Sequence, residues 1–385
     1  LDLTDGSEQV PHEQADEDLA EIVNFDLYDG KIDMVIPQVG DVTPLGFTKA
    51  GKKLAKLIAK QGQNMSIDRL LWAGNGDFVT ATLSVDAQSY SYHIFDLNLG
   101  TDTKISDFYF KTKHADALVP TETVQITARD GMKLNALLLR PKGVDGAAPM
   151  VLEVHGGPAR QVKWEYHHFR QFLVNRGYAV LAVNFRGSSG LGKIYQAAGY
   201  GEYGRKMQDD LVDATLWAID QGIADPKAIA INGSSYGGYA SAMGLVRDPD
   251  LFKAGIIEHA MLDVAYQSLY PPHSWGLYLG QWERYFGDIN SPGDMEKMHQ
   301  RSPINLVAQM QAAALMVAGK RDPVVGFEQT ERFITKAKDL GKNIDSLIFE
   351  DEGHGIDKWQ SKTWRTRRIE DFLAEHLGGR SGNWD

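Results

Sequence analysis

Beyond Pro120 the chain settles into a rhythm that few architectures accommodate: short, unbroken apolar runs separated by longer segments of helical period. PMVLEVH at 149–155, YAVLAVNF at 178–185, AIAIN at 228–232, AALMVA at 313–318 and DSLIFE at 345–350 lack the in-out alternation of a half-exposed strand. Strands read this way when both faces of their sheet are covered. Between them lie FRQFLVNRG at 169–177, a stretch from Tyr203 to Gly222 with Met207, Leu211 and Ala218 on one face, ERFITKAKDLG at 331–341 and RRIEDFLAEHLGG at 367–379. Each closes on Gly, the usual helix stop. Repeated strand-helix units imply the α/β class, with a mostly parallel sheet and helices on both faces. A hairpin turned at Asp130-Gly131, within TVQITARDGMKLNALLLRPKG at 123–143, leads into it.

Upstream the grammar is different. FVTATLSVD at 78–86 alternates with period two, and SYHIFDLN at 91–98 and TKISDFYF at 103–110 follow after short turns, so an antiparallel meander is expected. TKAGKKLAKLIAK at 48–60 instead spaces Leu54, Leu57 and Ile58 for one face of a helix. LDLTDG at 1, FDLYDG at 25 and FDLNLG at 95 share an Asp-Leu-x-x-Gly pattern whose outer members fit two units of blade length in a β-propeller. The same pattern also suits ordinary hairpin turns. Two blades cannot close a ring, so the expected division is a partial, propeller-like segment over 1–118 and an α/β domain over 119–385.

The chain has no Cys, which leaves Ser, Thr, Lys or a carboxylate for any covalent catalysis. AIAINGSSYGGYASAMGLV at 228–246 places Gly233-x-Ser235-x-Gly237 between an apolar strand and a helical run. That context makes Ser235 the nucleophile of a strained strand-to-helix turn, with Gly on either side leaving room for backbone and substrate. Ser234 sits one place out of this frame. A serine hydroxyl needs a base, and the elbow predicts an acid and then a His further along the chain. Asp322 follows AALMVA in GKRDPVV, and His354 follows DSLIFE in EDEGHGI, each just past the end of its strand. Open sheets form their sites at that edge.

Glu350, Asp351 and Glu352 could replace Asp322, but adjacent carboxylates before a loop are usually solvated. His12, His93, His114, His299 and His376 read as surface or packing residues, and His167 and His168 lack metal-motif spacing. The loop EVHGGPAR at 153–160 offers exposed amides, so the N–H groups of Gly157 and Tyr236 are the expected oxyanion donors. RGSSG at 186–190 lacks a P-loop ending. No metal and no organic cofactor is required.

Taken in order, TARDG at 127, HGGP at 155, NFRGSSG at 184, GIADPKAIAINGSSYGGY at 222–239, WERYFGD at 282, GKRDPVV at 319 and DEGHGI at 351 resemble the prolyl oligopeptidase family of serine peptidases, particularly its acylaminoacyl-peptidase and dipeptidyl-peptidase branches. The resemblance implies an α/β-hydrolase catalytic domain preceded by a β-propeller that limits access to short peptides. It places the family's serine, aspartate and histidine on Ser235, Asp322 and His354. Two positions depart from the dipeptidyl-peptidase pattern: His155 stands where that branch has an oxyanion Tyr, and Val324 where it has Asn. The resemblance therefore points to backbone donors, as in the acylaminoacyl branch. His155, Met261, Val264 and Val325 are the expected pocket residues, and the aromatics of YQSLYPPHSWGLYLGQ at 266–281 either shape that pocket or cover apolar surface.

The expected activity is hydrolysis of amide bonds in short or N-blocked peptides through an acyl-enzyme. An isopeptidase acting on a threaded or cyclic peptide and a carboxylesterase are the alternatives on the same scaffold. Expected partners are a peptide substrate and an upstream propeller portion of the same protein, with a homo-oligomer left open. A net charge of −11 argues against nucleic acid. No apolar run approaches the roughly 20 residues that span a bilayer. Residues 1–30 carry ten acidic groups and no Lys or Arg, the reverse of a signal peptide's start. The chain begins at Leu1 rather than Met, which leaves room for a signal or a whole upstream region. A soluble chain is expected, with cytoplasm and periplasm both open.

Overall fold

A computed structural model describes residues 18–25, 31–37, 43–62, 65–73, 76–85, 90–107, 115–276 and 279–382. In its first part, strands β1 (Leu19–Val23), β2 (Met34–Pro37) and β3 (Leu45–Gly46) form a three-stranded antiparallel sheet. Strands β4 (Met65–Ala73), β5 (Phe78–Val85), β6 (Tyr90–Asp96) and β7 (Thr101–Asp107) form the expected meander, each pairing with the next. A four-stranded meander is the unit of a propeller blade. The amphipathic stretch is the helix Lys49–Ala59, capped by Thr48, whose hydroxyl accepts from Gly51 N–H at 3.1 Å. Its Leu54, Leu57 and Ile58 are buried against Val79, Leu83 and Phe95. Of the repeated motifs, LDLTDG lies outside the described residues, as does FDLYDG beyond Phe25. FDLNLG makes a tight turn in which Asp96 Oδ1 accepts from the N–H groups of Asn98 and Leu99, with Gly100 at φ +74°.

The remainder builds an eight-stranded sheet. The hairpin β8 (Glu122–Thr127) and β9 (Lys133–Leu139) runs antiparallel at one edge. Then come β10 (Ala148–Val154), β11 (Ala179–Asn184), β12 (Ala224–Ser234), β13 (Ala254–Glu258), β14 (Ala313–Gly319) and β15 (Ile344–Phe349), in the spatial order β15-β14-β13-β12-β10-β11-β9-β8. The six strands from β15 to β11 are parallel, and β11 meets β9 antiparallel. Strand β13 is the addition to the sequence reading. Its five residues include Gly255, onto which the Leu245 side chain packs, so it is set by its neighbours more than by its own propensity.

Alternate residues of each strand serve opposite faces. Met150, Leu152, Ile229 and Ile231 pack with Met207, Leu211 and Ala218 of the helix Lys206–Asp220 and with the helices Tyr236–Arg247 and Phe327–Asp339. Val151, Val180 and Ala230 pack with the helices His168–Asn175 and Trp359–Leu377. This mostly parallel sheet, covered on both faces, is the α/β-hydrolase arrangement expected from the sequence. The expected helix stops hold too: Gly177, Gly222, Gly341 and Gly378 all have positive φ. Among the described residues no helix is long and apolar enough to cross a membrane.

One buried cation ties the hairpin to the sheet. Arg186, beyond β11, donates from its backbone and Nε to Asp210 Oδ2 at 2.8 and 2.9 Å, and from Nη1 and Nη2 to Asp130 at 2.8 and 3.0 Å. Asp210 is fully buried, and the guanidinium holds Asp130 well below the usual carboxylate range. Arg186→Met strands the Asp210 charge, so we expect a loss of about 3–5 kcal/mol in urea unfolding. A midpoint change worth less than about 1 kcal/mol would show that Asp210 finds other partners.

Candidate active site

The site begins with a turn too tight for side chains. β12 ends at Ser234 and the next helix begins at Tyr236, so Ser235 alone carries the change of direction, at φ +60° and ψ −118°. A Cβ on Gly237 would lie 2.1 Å from the Val154 carbonyl oxygen, and one on Gly233 would lie 2.5 Å from the Gly237 carbonyl carbon. Both glycines are therefore required by contact with backbone, which accounts for the Gly-x-Ser-x-Gly spacing. The turn is pinned from behind. Ser235 N–H donates to Glu258 O at 2.9 Å, and the buried Glu258 carboxylate takes two hydrogen bonds from Arg365.

His354 comes to this turn from the loop after β15 and Asp322 from the loop after β14. His354 Nδ1 lies 2.7 Å from Asp322 Oδ2, and His354 Nε2 lies 2.9 Å from Ser235 Oγ. A carboxylate oxygen only accepts, so Nδ1 carries the proton and Nε2 is left to accept from the serine hydroxyl. Asp322 Oδ1 accepts from the N–H groups of Val324 and Val325 at 2.8 and 2.9 Å. Burial works against the Asp322 charge, but the His259 and His354 imidazoles and the Val325 N–H outweigh it and hold the carboxyl well below its usual range. The alternative acids are engaged elsewhere: Glu350 pairs with Lys320, Asp351 with Lys358, and Glu352 accepts from the N–H groups of Asp357 and Lys358.

Ser235 and His354 open into a cleft of about 540 Å³ that is also lined by Gly157, Tyr236, Met261 and Val325, a volume typical of small-ligand sites. Of the nine residues singled out from the sequence, Asp322 joins this cleft through His354, while His155 and Val264 lie off it. Val264 is fully buried in the apolar cluster, with its N–H donating to Ser302 Oγ at 2.8 Å. His155 turns away because both its nitrogens are engaged, Nδ1 with Gly156 O at 2.7 Å and Nε2 with the Ser188 hydroxyl at 2.8 Å. Its ring stacks on Phe185 at 4.4 Å, and Phe185 packs on the Tyr236 ring at 5.0 Å. Burial pulls His155 down to about 4, so the ring is neutral near pH 7. The ring thus packs behind the turn, through Phe185 and Tyr236.

Three residues at the site were not singled out in the sequence. Arg160, two places after the HGGP loop, lines the cleft, as does Trp282, whose ring stacks on Trp275 at 4.4 Å. Trp275 falls in the aromatic segment expected either to shape the pocket or to cover apolar surface, and it both lines the cleft and is buried in the main apolar cluster. The third is His259, immediately after β13, whose Nδ1 lies 3.6 Å from Asp322 Oδ2. A strand recognised at 254–258 would have marked it, since it then sits at the same sheet edge as Asp322 and His354.

Among the described residues, His259, Asp322 and His354 each bring a ligand atom within 4.8 Å of the others, a donor set that zinc accepts. An ion there would have to part Asp322 Oδ2 from His354 Nδ1, and the 2.7 Å bond between them favours the hydrogen-bonded arrangement.

Residues 164–380 match the model of the prolyl oligopeptidase family. The chain is 34% identical over 336 residues to dipeptidyl aminopeptidase BIII of Pseudoxanthomonas mexicana, covering 82% of this chain and 48% of that one. It is 26% identical over 279 residues to acylamino-acid-releasing enzyme 1 of Oryza sativa subsp. japonica, covering 71% of this chain and 36% of that one. The chain thus spans less than half the length of these curated relatives. In fold it is similar to a puromycin hydrolase, with a TM-score of 0.79 at 20% identity, covering 91% of this chain and 52% of the other.

Proposed function

This chain belongs to the prolyl oligopeptidase family, and on that footing we propose that it is a serine peptidase hydrolysing amide bonds in short or N-blocked peptides through an acyl-enzyme. The observation that carries the reading is the continuous hydrogen-bonded series Ser235, His354, Asp322 at the mouth of a cleft. Ser235 Oγ attacks the carbonyl carbon as its proton passes to His354 Nε2. That proton goes to the leaving nitrogen as the amide bond breaks. Water then attacks the ester, with His354 again as base, and Ser235 recovers its proton. Asp322 keeps the imidazole in the productive tautomer and stabilises its cation. The N–H groups of Gly157 and Tyr236 take the oxyanion, the latter being an unused donor at a helix start.

Substrate class follows from the lining. Met261, Val325, Trp275 and Trp282 make an apolar wall, and the described lining residues carry Arg160 but no carboxylate to receive a free ammonium group. An N-blocked acyl part suits that environment better than a charged amino terminus. The relative named as a dipeptidyl aminopeptidase makes the free-amine dipeptide the necessary rival. The division at 118/119 belongs to the same proposal. The apolar cluster around Val79 and Phe95 is separate from those of the sheet, and the two parts meet where Ser84 Oγ accepts from Tyr166 N–H at 3.0 Å. Further upstream blades would complete a propeller that restricts access.

The test is hydrolysis of three matched anilides: an N-acyl amino acid, a free-amine dipeptide ending in Pro, and an internally blocked peptide, with Ser235→Ala as the blank. Fastest release from the N-acyl substrate is expected. Faster dipeptide release would replace that substrate class, and cleavage of a simple ester or a cyclic peptide alone would overturn the peptidase reading. In the same assay Trp282→Ala should raise KM about 10-fold, with kcat within about 3-fold, since a stacked aromatic wall contributes on the order of 1 kcal/mol to binding. An unchanged KM would mean that the acyl group does not touch this wall.

A further inference from the structure

The side chain that the mechanism leaves unused, and that the fold takes most trouble to place, is His259. It follows the last residue of β13 at φ +47°, a left-handed region that few residues other than glycine occupy. Its backbone N–H is fixed by Val317 O at 2.9 Å, its side chain is 2% exposed, and both ring nitrogens are buried without a hydrogen-bond partner among the described residues. A strained backbone and a buried imidazole with two unmatched nitrogens each cost stability, and such combinations persist where function holds them. The groups nearest to this ring belong to the site: Nδ1 stands 3.6 Å from Asp322 Oδ2, and the ring meets that of His354 edge-on, with centroids 5.7 Å apart.

We propose that His259 is a positioning residue for Asp322, a second imidazole that steadies Oδ2 in line with His354 Nδ1 while His354 takes up and returns its proton. The inference rests on the reading of Ser235, His354 and Asp322 as nucleophile, base and acid. The division of labour around the carboxylate supports it. Oδ1 is held by the N–H groups of Val324 and Val325, which fixes one corner of the group. Among the described residues Oδ2 has only His354 as a close partner, at 2.7 Å. A carboxylate held at one corner can still swing about that corner when the imidazole opposite becomes a cation and moves. His259 Nδ1 stands 3.6 Å from Oδ2, and an approach of a few tenths of an ångström makes it a donor. It stabilises the acid's orientation without touching substrate.

Two variants test this on the full chain with the best anilide from the substrate panel. His259→Phe keeps a flat ring and removes both nitrogens, whereas His259→Asn tolerates the positive φ and offers an amide donor. The expected result is a fall in kcat of about 10-fold for Phe and about 3-fold for Asn, with KM within about 2-fold, as for loss of a group that orients another. Each substitution is then repeated on Asp322→Asn, where the acceptor has been neutralised, and there neither should change kcat by more than about 2-fold. Equal losses in both backgrounds, or a rise in KM with kcat unchanged, would overturn the proposal, because a packing role does not depend on the charge at position 322. If His259→Phe does not fold, the Asn pair alone makes the same decision. A kcat unchanged by Asp322→Asn itself would instead sink the triad reading on which the proposal rests.

Discussion

Ser235→Ala should leave a folded protein whose kcat on the best anilide is lower by about 10⁵-fold or more, which amounts to roughly 7 kcal/mol of lost transition-state stabilisation. The size follows from what remains. Without Oγ no acyl-enzyme forms, and the surviving groups, the oxyanion donors and the cleft, act only on direct attack by water. KM should stay within a few-fold, because Met261, Val325, Trp275 and Trp282 still line the acyl side of the cleft. Stability should change little. Ser235 is held through its backbone, with N–H to Glu258 O and its own carbonyl accepting from Tyr239 N–H, each at 2.9 Å, and a methyl group keeps both. A residual kcat within 100-fold of the parent would reassign the nucleophile, with Ser234, which also lines the cleft, as the first candidate.

How much of this could be read from the sequence depends on the range of the forces involved. The elbow was legible because part of its cause is local: a side chain at Gly233 would strike the Gly237 backbone one turn on, whereas one at Gly237 would strike the Val154 carbonyl of the neighbouring strand β10. The helix stops at Gly177, Gly222, Gly341 and Gly378 were legible for the same reason, as was the Asp130-Gly131 hairpin. Asp322 and His354 could be placed because strands of continuous apolar character announce where a parallel sheet ends. β13 was not legible. Ala254 and Gly255 carry little strand propensity, and the segment is a strand because β12 and β14 pair on either side of it and Leu245 fills the space over Gly255.

Side-chain direction was the other loss. His155 and Val264 lie within a few residues of true cleft residues, Gly157 and Met261, and proximity along the chain suggested a shared pocket. What decides is which hydrogen bonds and apolar neighbours win each side chain. Ser188 and Gly156 claim the His155 ring, and the core claims Val264. His259 was missed on both counts, standing at the end of an unread strand and turned inward by a left-handed backbone. Long-range pairing and left-handed geometry at a bulky residue are the two things that local pattern cannot supply.

Asp322→Asn should lower kcat by about 10⁴-fold, and the geometry says why an isosteric change does so much. The side-chain amide has one oxygen and one NH₂ to distribute over the two corners of the old carboxylate. The corner at Oδ1 faces two donors, the N–H groups of Val324 and Val325 at 2.8 and 2.9 Å, and only an oxygen satisfies them. The NH₂ is thereby driven to the corner facing His354 Nδ1, where it must donate. Nδ1 then has to accept, the ring proton moves to Nε2, and the nitrogen facing Ser235 Oγ can no longer take a proton. The variant thus holds the wrong tautomer by design of the loop, not by chance of rotation. Stability carries a second signature. The parent carboxyl is held below its usual range, so its charge contributes stability that is fully present above the pKa it has when unfolded, and that is lost only as pH falls through the lower folded value. The gap in urea midpoint between parent and variant should therefore be constant near neutrality and close only at pH values below the ordinary carboxylate range. A kcat within about 10-fold of the parent, or a stability gap that opens as pH falls, would mean that Asp322 is not the acid that orients His354.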